Sequence, residues 1–216
     1  MAKVENGLNF ARYAASKVEA LVSNMLAASS SARLESWNHR AIFRKYFGGH
    51  PYQEKWYFIY NDNYRVFVLK RIRNIAEDCR LATQHFRKIR RQLNGCNKKC
   101  KKDRTAYTRA EFKHRVYLCP DFFREDRLKT PCRVARLLLH EFGHKDGIIG
   151  DPVYGRAESI ALAAQDDHNF TIAGRNADNY AYFFINMVMD PFLAKSSTDD
   201  AKWCTPWVPT DEGIPG

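Results

Sequence analysis

The chain has 216 residues, 35 Lys and Arg against 24 Asp and Glu for a formal charge of +11, with 45% hydrophobic and 27% charged residues. That composition excludes disordered, collagen-like and coiled-coil classes, and the length suits one folding unit, since chains of this size bury roughly 70% of their surface on folding. No apolar run approaches the ~20 residues that cross a bilayer, and Lys3, Glu5, Arg12, Lys17 and Glu19 interrupt the place where a secretory signal would need an unbroken apolar stretch.

Leu8, Ala11, Ala15, Val18, Leu21, Val22, Met25 and Leu26 recur at helical intervals, which predicts an amphipathic helix over residues 8–28. A second helix is expected through Ala41 to Phe47, stopped by Gly48, Gly49 and Pro51, and a third over 64–86 with Phe67, Ile72, Ile75 and Cys79 on one side. Arg115 to Cys119, rich in β-formers and closed by Pro120, reads as a strand, with 105–108 a weaker strand beside it. After Pro131, residues 134–144 return to helical period with apolar side chains on nearly every turn, as a largely buried helix requires. Two more helices fit 157–167 and 176–189, the latter halted by Pro191, where Tyr182, Phe183 and Phe184 are expected to pack the core. The tail from Ser196 carries prolines and no periodicity.

Much of the positive charge is crowded into residues 86–104, which read as a solvated loop and helix face. A charge of +11 also attracts nucleic acid or anionic lipid, but no nucleic-acid module is recognisable. Cys79, Cys96, Cys100, Cys119, Cys132 and Cys204 form an even set compatible with up to three disulfides, which leans toward an oxidising destination. Cys96 and Cys100 lack the second tight pair that a Cys-ligated zinc needs.

The chemistry sits in His140-Glu141-Phe142-Gly143-His144. Residues i and i+4 share a helix face, so both imidazoles can reach one Zn2+ ion, while the carboxylate of Glu141 is turned from ligation toward an adjacent water as a general base. His39, His50, His85, His114 and His168 lack such spacing. A catalytic zinc needs a third protein ligand and an open position. Gly150 stands where a metzincin would carry its third His. Glu158 on the next helix and Asp151, beyond the turn at 147–150, remain as third ligands, and the turn favours Asp151 because it can bring the chain back under the helix.

At this point the sequence resembles the aspzincins, the deuterolysin and peptidyl-Lys metalloendopeptidase group. Their His-Glu-x-x-His helix is followed by Gly-Thr-x-Asp-x-x-Tyr-Gly, of which Asp151-Pro152-Val153-Tyr154-Gly155 matches the second half while the Gly-Thr pair is absent. Phe43 to Gly48, Val116 to Phe123 and Asn176-Ala177-Asp178-Asn179-Tyr180 are similar to further family landmarks. The resemblance implies that His140, His144 and Asp151 bind zinc, that Glu141 is the base and that Tyr154 supports the oxyanion. It also implies that Asp178 binds substrate, favouring a basic residue after the scissile bond, although Ala181 stands where lysine-specific members carry a Glu.

The expected architecture is therefore α+β and zincin-like, predominantly helical with a small β-sheet, as one catalytic domain over 1–195 and an irregular tail over 196–216. The expected function is zinc-dependent endopeptidase action on protein or peptide substrates, by an enzyme secreted or delivered outside the producing cell as an effector or toxin. The competing expectation is a basic module that binds nucleic acid or an anionic surface around a structural zinc.

Overall fold

The computed structural model describes residues 2–27, 37–48, 58–59, 62–84, 89–91, 100, 104–108, 115–124, 130–146, 149–165 and 169–189. Six α-helices lie among them: α1 (Ala2–Ala27), α2 (Trp37–Phe47), α3 (Tyr64–Gln84), α4 (Pro131–Gly143), α5 (Arg156–Ala163) and α6 (Ala177–Val188). The short strands are β1 (Phe58–Ile59), β2 (Asp62–Asn63), β3 (Ile89–Arg91), β4 (Ala106–Thr108) and β5 (Val116–Leu118). The expected α+β class, mostly helix with a small sheet, is what forms. The tail from 196, with Trp203 and Trp207, lies outside the described residues.

Helix α1 begins six residues before the periodic run, at Ala2, because Val4, Leu8, Ala11, Ala15, Val18 and Val22 continue one buried stripe. It packs on α3 and α4. The approach to α4 is close: a Cβ added at Gly7 would lie 2.2 Å from Val134 Cγ1, so only glycine fits that crossing. Helix α4 starts where Thr130 accepts a hydrogen bond from Arg133 N at 3.3 Å and Pro131 takes the first turn, an N-terminal pairing that satisfies an orphan donor and presets φ. Its buried side chains Val134, Ala135, Leu138, Leu139 and Phe142 enter one core with α1, α2, α3 and α6. The aromatic residues Tyr180, Tyr182, Phe183 and Phe184 of α6 are buried in that core, with Phe183 edge-on to Phe43 at 6.0 Å and Tyr182 stacked over Tyr46 at 6.3 Å.

β5 is the centre of a three-stranded sheet ordered β3-β5-β4, parallel to β3 and antiparallel to β4. Tyr107 and Tyr117, opposite each other, stack with ring centroids 4.9 Å apart. β3 corrects the sequence expectation, since Ile89-Arg90-Arg91 lies in the basic stretch read as loop and helix face. Three residues are too few to show alternation, and pairing with β5 makes the strand. β1 and β2, two residues each and antiparallel, were likewise invisible. The helix expected over 157–167 ends earlier, at Ala163, while the last two residues of the helix expected over 64–86 lie outside the described residues.

The disulfide Cys100–Cys119 ties the end of β5 to the approach to β4, and Cys132 is also disulfide-bonded. Cys79 is buried and not disulfide-bonded, its thiol pushed up to about 12 by burial, so the six cysteines do not form three bridges. Among the described residues no helix is long and apolar enough to cross a membrane.

Candidate active site

Helix α4 places Arg136, His140 and His144 on one face at successive intervals of four, opposite its apolar stripe. The chain then turns through a short 3-10 segment, His144–Asp146, and returns along the N-terminus of α6. Backbone bonds hold it there: Gly150 N donates to Arg175 O at 2.8 Å and Ala177 N donates to Gly150 O at 3.0 Å. Val153 N donates to Asn176 Oδ1 at 3.3 Å, and Gly155 N to Asp178 Oδ2 at 2.8 Å. Residues 150, 153 and 155 are thus pinned inward, and the intervening Asp151 and Tyr154 side chains face the helix histidines.

Among the described residues, His140, His144 and Asp151 are the His, Cys, Asp or Glu residues whose ligand atoms converge, all within 4.8 Å of one another. His140 Nε2 and His144 Nε2 are 3.1 Å apart, and Asp151 Oδ1 lies 3.2 and 3.1 Å from them. Tetrahedral bonds of about 2.0–2.1 Å require donor atoms about 3.3 Å apart, so this near-equilateral triangle fits zinc. Protonation supports the fit. His140 Nδ1 faces Asp178 Oδ1 at 2.7 Å and His144 Nδ1 faces the Ile149 carbonyl at 2.9 Å. Carboxylate and carbonyl oxygens only accept, so both Nδ1 atoms carry protons, and in the neutral imidazoles that a metal binds both Nε2 lone pairs point into the triangle with Asp151. In the absence of a metal, a proton held between Nε2 and Asp151 takes its place. Glu158 is exposed on the first turn of α5 and is not part of the converging set.

The electrostatics follow the geometry. Burial opposes charge on His140, but the carboxylates of Asp151 and Asp178 outweigh it and push the imidazole up to about 9. Burial would raise Asp151, yet His140 and His144 hold it well below the usual carboxylate range. Glu141, 7% exposed, is raised by burial against the pull of the two histidines and, more weakly, Arg104. Burial and then a hydrogen bond to Asp151 push the Tyr154 hydroxyl up to about 12. The Tyr154 ring lies over His140 at 6.1 Å while 64% of the residue remains exposed.

These groups line an open cleft of about 560 Å³, whose other wall is Arg104, Thr105 and β4. His140, Glu141, His144, Asp151 and Tyr154 all reach it. Asp178 does not: it is 1% exposed, behind His140, with both oxygens engaged by Arg136, His140 and Gly155 N. Its enclosure turns the carboxylate expected to meet substrate toward His140 and Arg136 rather than the cleft. The sequence reading missed Arg136, whose signal was its place four residues before His140, and Asn176, whose oxygen holds the loop. The remaining five histidines fall where side chains are not described.

Comparison with known proteins agrees with this geometry. The aspzincin family, described as lysine-specific metallo-endopeptidase, matches residues 44–185. Over 89 residues the chain is 35% identical to an extracellular protease of Aeromonas hydrophila, a stretch that is 40% of this chain and 25% of that relative's length. Its fold is similar to that of a zinc peptidase from Grifola frondosa, with a TM-score of 0.54 and 20% identity, covering 86% of this chain and 96% of the other.

Proposed function

The chain belongs to the aspzincin family of zinc metalloendopeptidases, and from that premise we propose that it cleaves peptide bonds with His140, His144 and Asp151 as zinc ligands, Glu141 as general base and Tyr154 as oxyanion donor. The observation that carries this assignment is the three-donor triangle of zinc dimensions opening beside a buried carboxylate in a cleft. When bound, zinc supplies Lewis acidity, lowering the pKa of a coordinated water to about 7 and polarising a carbonyl.

The chain's own groups do the rest. Glu141, raised by burial, takes a proton from water as its oxygen adds to the scissile carbonyl carbon, and returns that proton to the leaving amine nitrogen as the C–N bond breaks. Tyr154, whose hydroxyl stays protonated at neutral pH, donates a hydrogen bond to the carbonyl oxygen as it gains negative charge. β4 is an edge strand on the cleft wall, so an extended substrate backbone can add to it and be held across the catalytic groups.

The finer expectation of a basic residue after the scissile bond loses its support with Asp178 enclosed, because among the described residues the charged wall group facing the cleft beyond the catalytic set is Arg104. We place the enzyme outside the producing cell, as a secreted protease or delivered effector. The Cys100–Cys119 bridge, a bond that persists in oxidising compartments, and the likeness to an extracellular protease support this. A nucleic-acid module around a structural zinc would need a fourth protein ligand, and three residues converge among those described. The deciding experiment is Glu141→Gln: kcat is expected to fall by about 10²–10⁴-fold while zinc content and unfolding temperature stay at wild-type values. Cleavage at the wild-type rate would defeat the assignment.

A further inference from the structure

Asp178 lies in the first turn of α6, and three donors from two parts of the molecule, α4 and the loop before α5, converge on its carboxylate. Its Oδ1 accepts from His140 Nδ1 at 2.7 Å and from Arg136 Nη1 at 3.1 Å, while Oδ2 accepts from Gly155 N at 2.8 Å. We propose that Asp178 is a positioning residue that sets both halves of the metal site at once: one oxygen orients His140, and the other ties down the loop presenting Asp151 and Tyr154. The inference rests on the zinc-site reading above and goes beyond it by moving this carboxylate from the substrate's side of the site to the scaffold's.

The two halves can be followed atom by atom. On the helix side, an acceptor fixed at Nδ1 selects the tautomer that leaves the Nε2 lone pair free and stops rotation of the ring. Arg136, one helical turn before His140, supplies the countercharge that a buried carboxylate needs, and its guanidinium is itself held 5.2 Å over the Tyr182 ring. On the loop side, Gly155 has φ of +94°, a conformation disfavoured for residues bearing a Cβ, and this turns its N–H inward to Asp178. Together with the bonds at Gly150 and Val153, this anchor holds the loop whose Asp151 Oδ1 lies within 3.2 Å of both histidines, and among the three it is the one next to Tyr154 on the far side from Asp151. Oδ2 keeps a lone pair beyond its bond to Gly155 N, but with 1% of the residue exposed it does not open onto the cleft where a substrate's basic side chain would lie.

The test uses Asp178→Asn, which keeps the shape and removes the charge. Zinc affinity by chelator competition is expected to fall about 10–100-fold, the usual cost of losing a partner behind a ligand. At saturating zinc, kcat is expected to fall while KM, and the ratio of cleavage before Lys to cleavage before Ala, stay unchanged. Arg136→Gln, at a partly exposed position, is the second variant and is expected to weaken zinc binding in the same direction by less. Thermal unfolding of the metal-free forms identifies which variants fold. Wild-type zinc affinity in whichever variant folds would overturn the proposal, as would a loss confined to KM for substrates with Lys after the scissile bond. A wild-type protein that binds no zinc, or cleaves no peptide, would instead overturn the zinc-peptidase assignment.

Discussion

The two sides of α4 are built on different physics. Toward α1 the helix presents Val134, Ala135, Leu138 and Leu139, fully buried and so close to α1 that Gly7 can carry no side chain. On the opposite face it carries Arg136, His140 and His144, the two histidines at the cleft and Arg136 behind them, each held by a named hydrogen bond to a residue from beyond the helix or just past its end. The apolar side tolerates approximate partners, because burial is non-directional and scales with area. The polar side tolerates few, because each buried donor or acceptor needs its own counterpart at the right distance. Stability and chemistry should therefore separate by which side of one helix is altered.

Removing the metal strikes the cleft side alone and has the largest expected effect. Dialysis against a strong chelator should abolish peptide cleavage, added zinc should restore it, and far-UV circular dichroism should show the helices intact. Next comes Glu141→Gln, expected to lower kcat by about 10²–10⁴-fold in a steady-state peptide assay, the range of a lost general base. Tyr154→Phe should cost about 10²-fold in kcat, as for one oxyanion donor, with zinc affinity preserved; a change smaller than that would mean its hydroxyl serves Asp151 rather than substrate.

Substitutions on the opposite side should reverse the pattern. Leu138→Ala removes a fully buried side chain and is expected to cost about 2–5 kcal/mol in denaturant unfolding. Gly7→Ala introduces a Cβ 2.2 Å from Val134 and is expected to cost about 1–3 kcal/mol, the range for overpacking. In both, kcat/KM per folded molecule should match wild type; an activity loss out of proportion to the folded fraction would show that the two sides are coupled through the helix.

The contrast also explains what could be read early. Helical spacing placed α1, α3, α4 and α6 close to their true spans because apolar periodicity is a local signal. The His140, Glu141 and His144 set was legible for the same reason, since four residues make one helical turn. β3 was not, because Ile89-Arg90-Arg91 has no alternation long enough to register and becomes a strand through its partner β5. Asp178 was noticed for its charge and expected on the substrate's side of the site, because a first-turn carboxylate looks the same in sequence whether it faces substrate or a ligand's far nitrogen.

The sequence by itself determined the helices, the two imidazoles on one face and the carboxylate between them, all products of rise and turn within a single element. Only the tertiary structure decided where Asn176, Arg136 and Asp178 act, because their partners lie 23 to 42 residues away in the hydrogen-bonded pairs that link α4, the loop and α6. Direction is a property of packed neighbours: a carboxylate turns inward when donors from separate elements meet it there, and no spacing along the chain encodes that meeting.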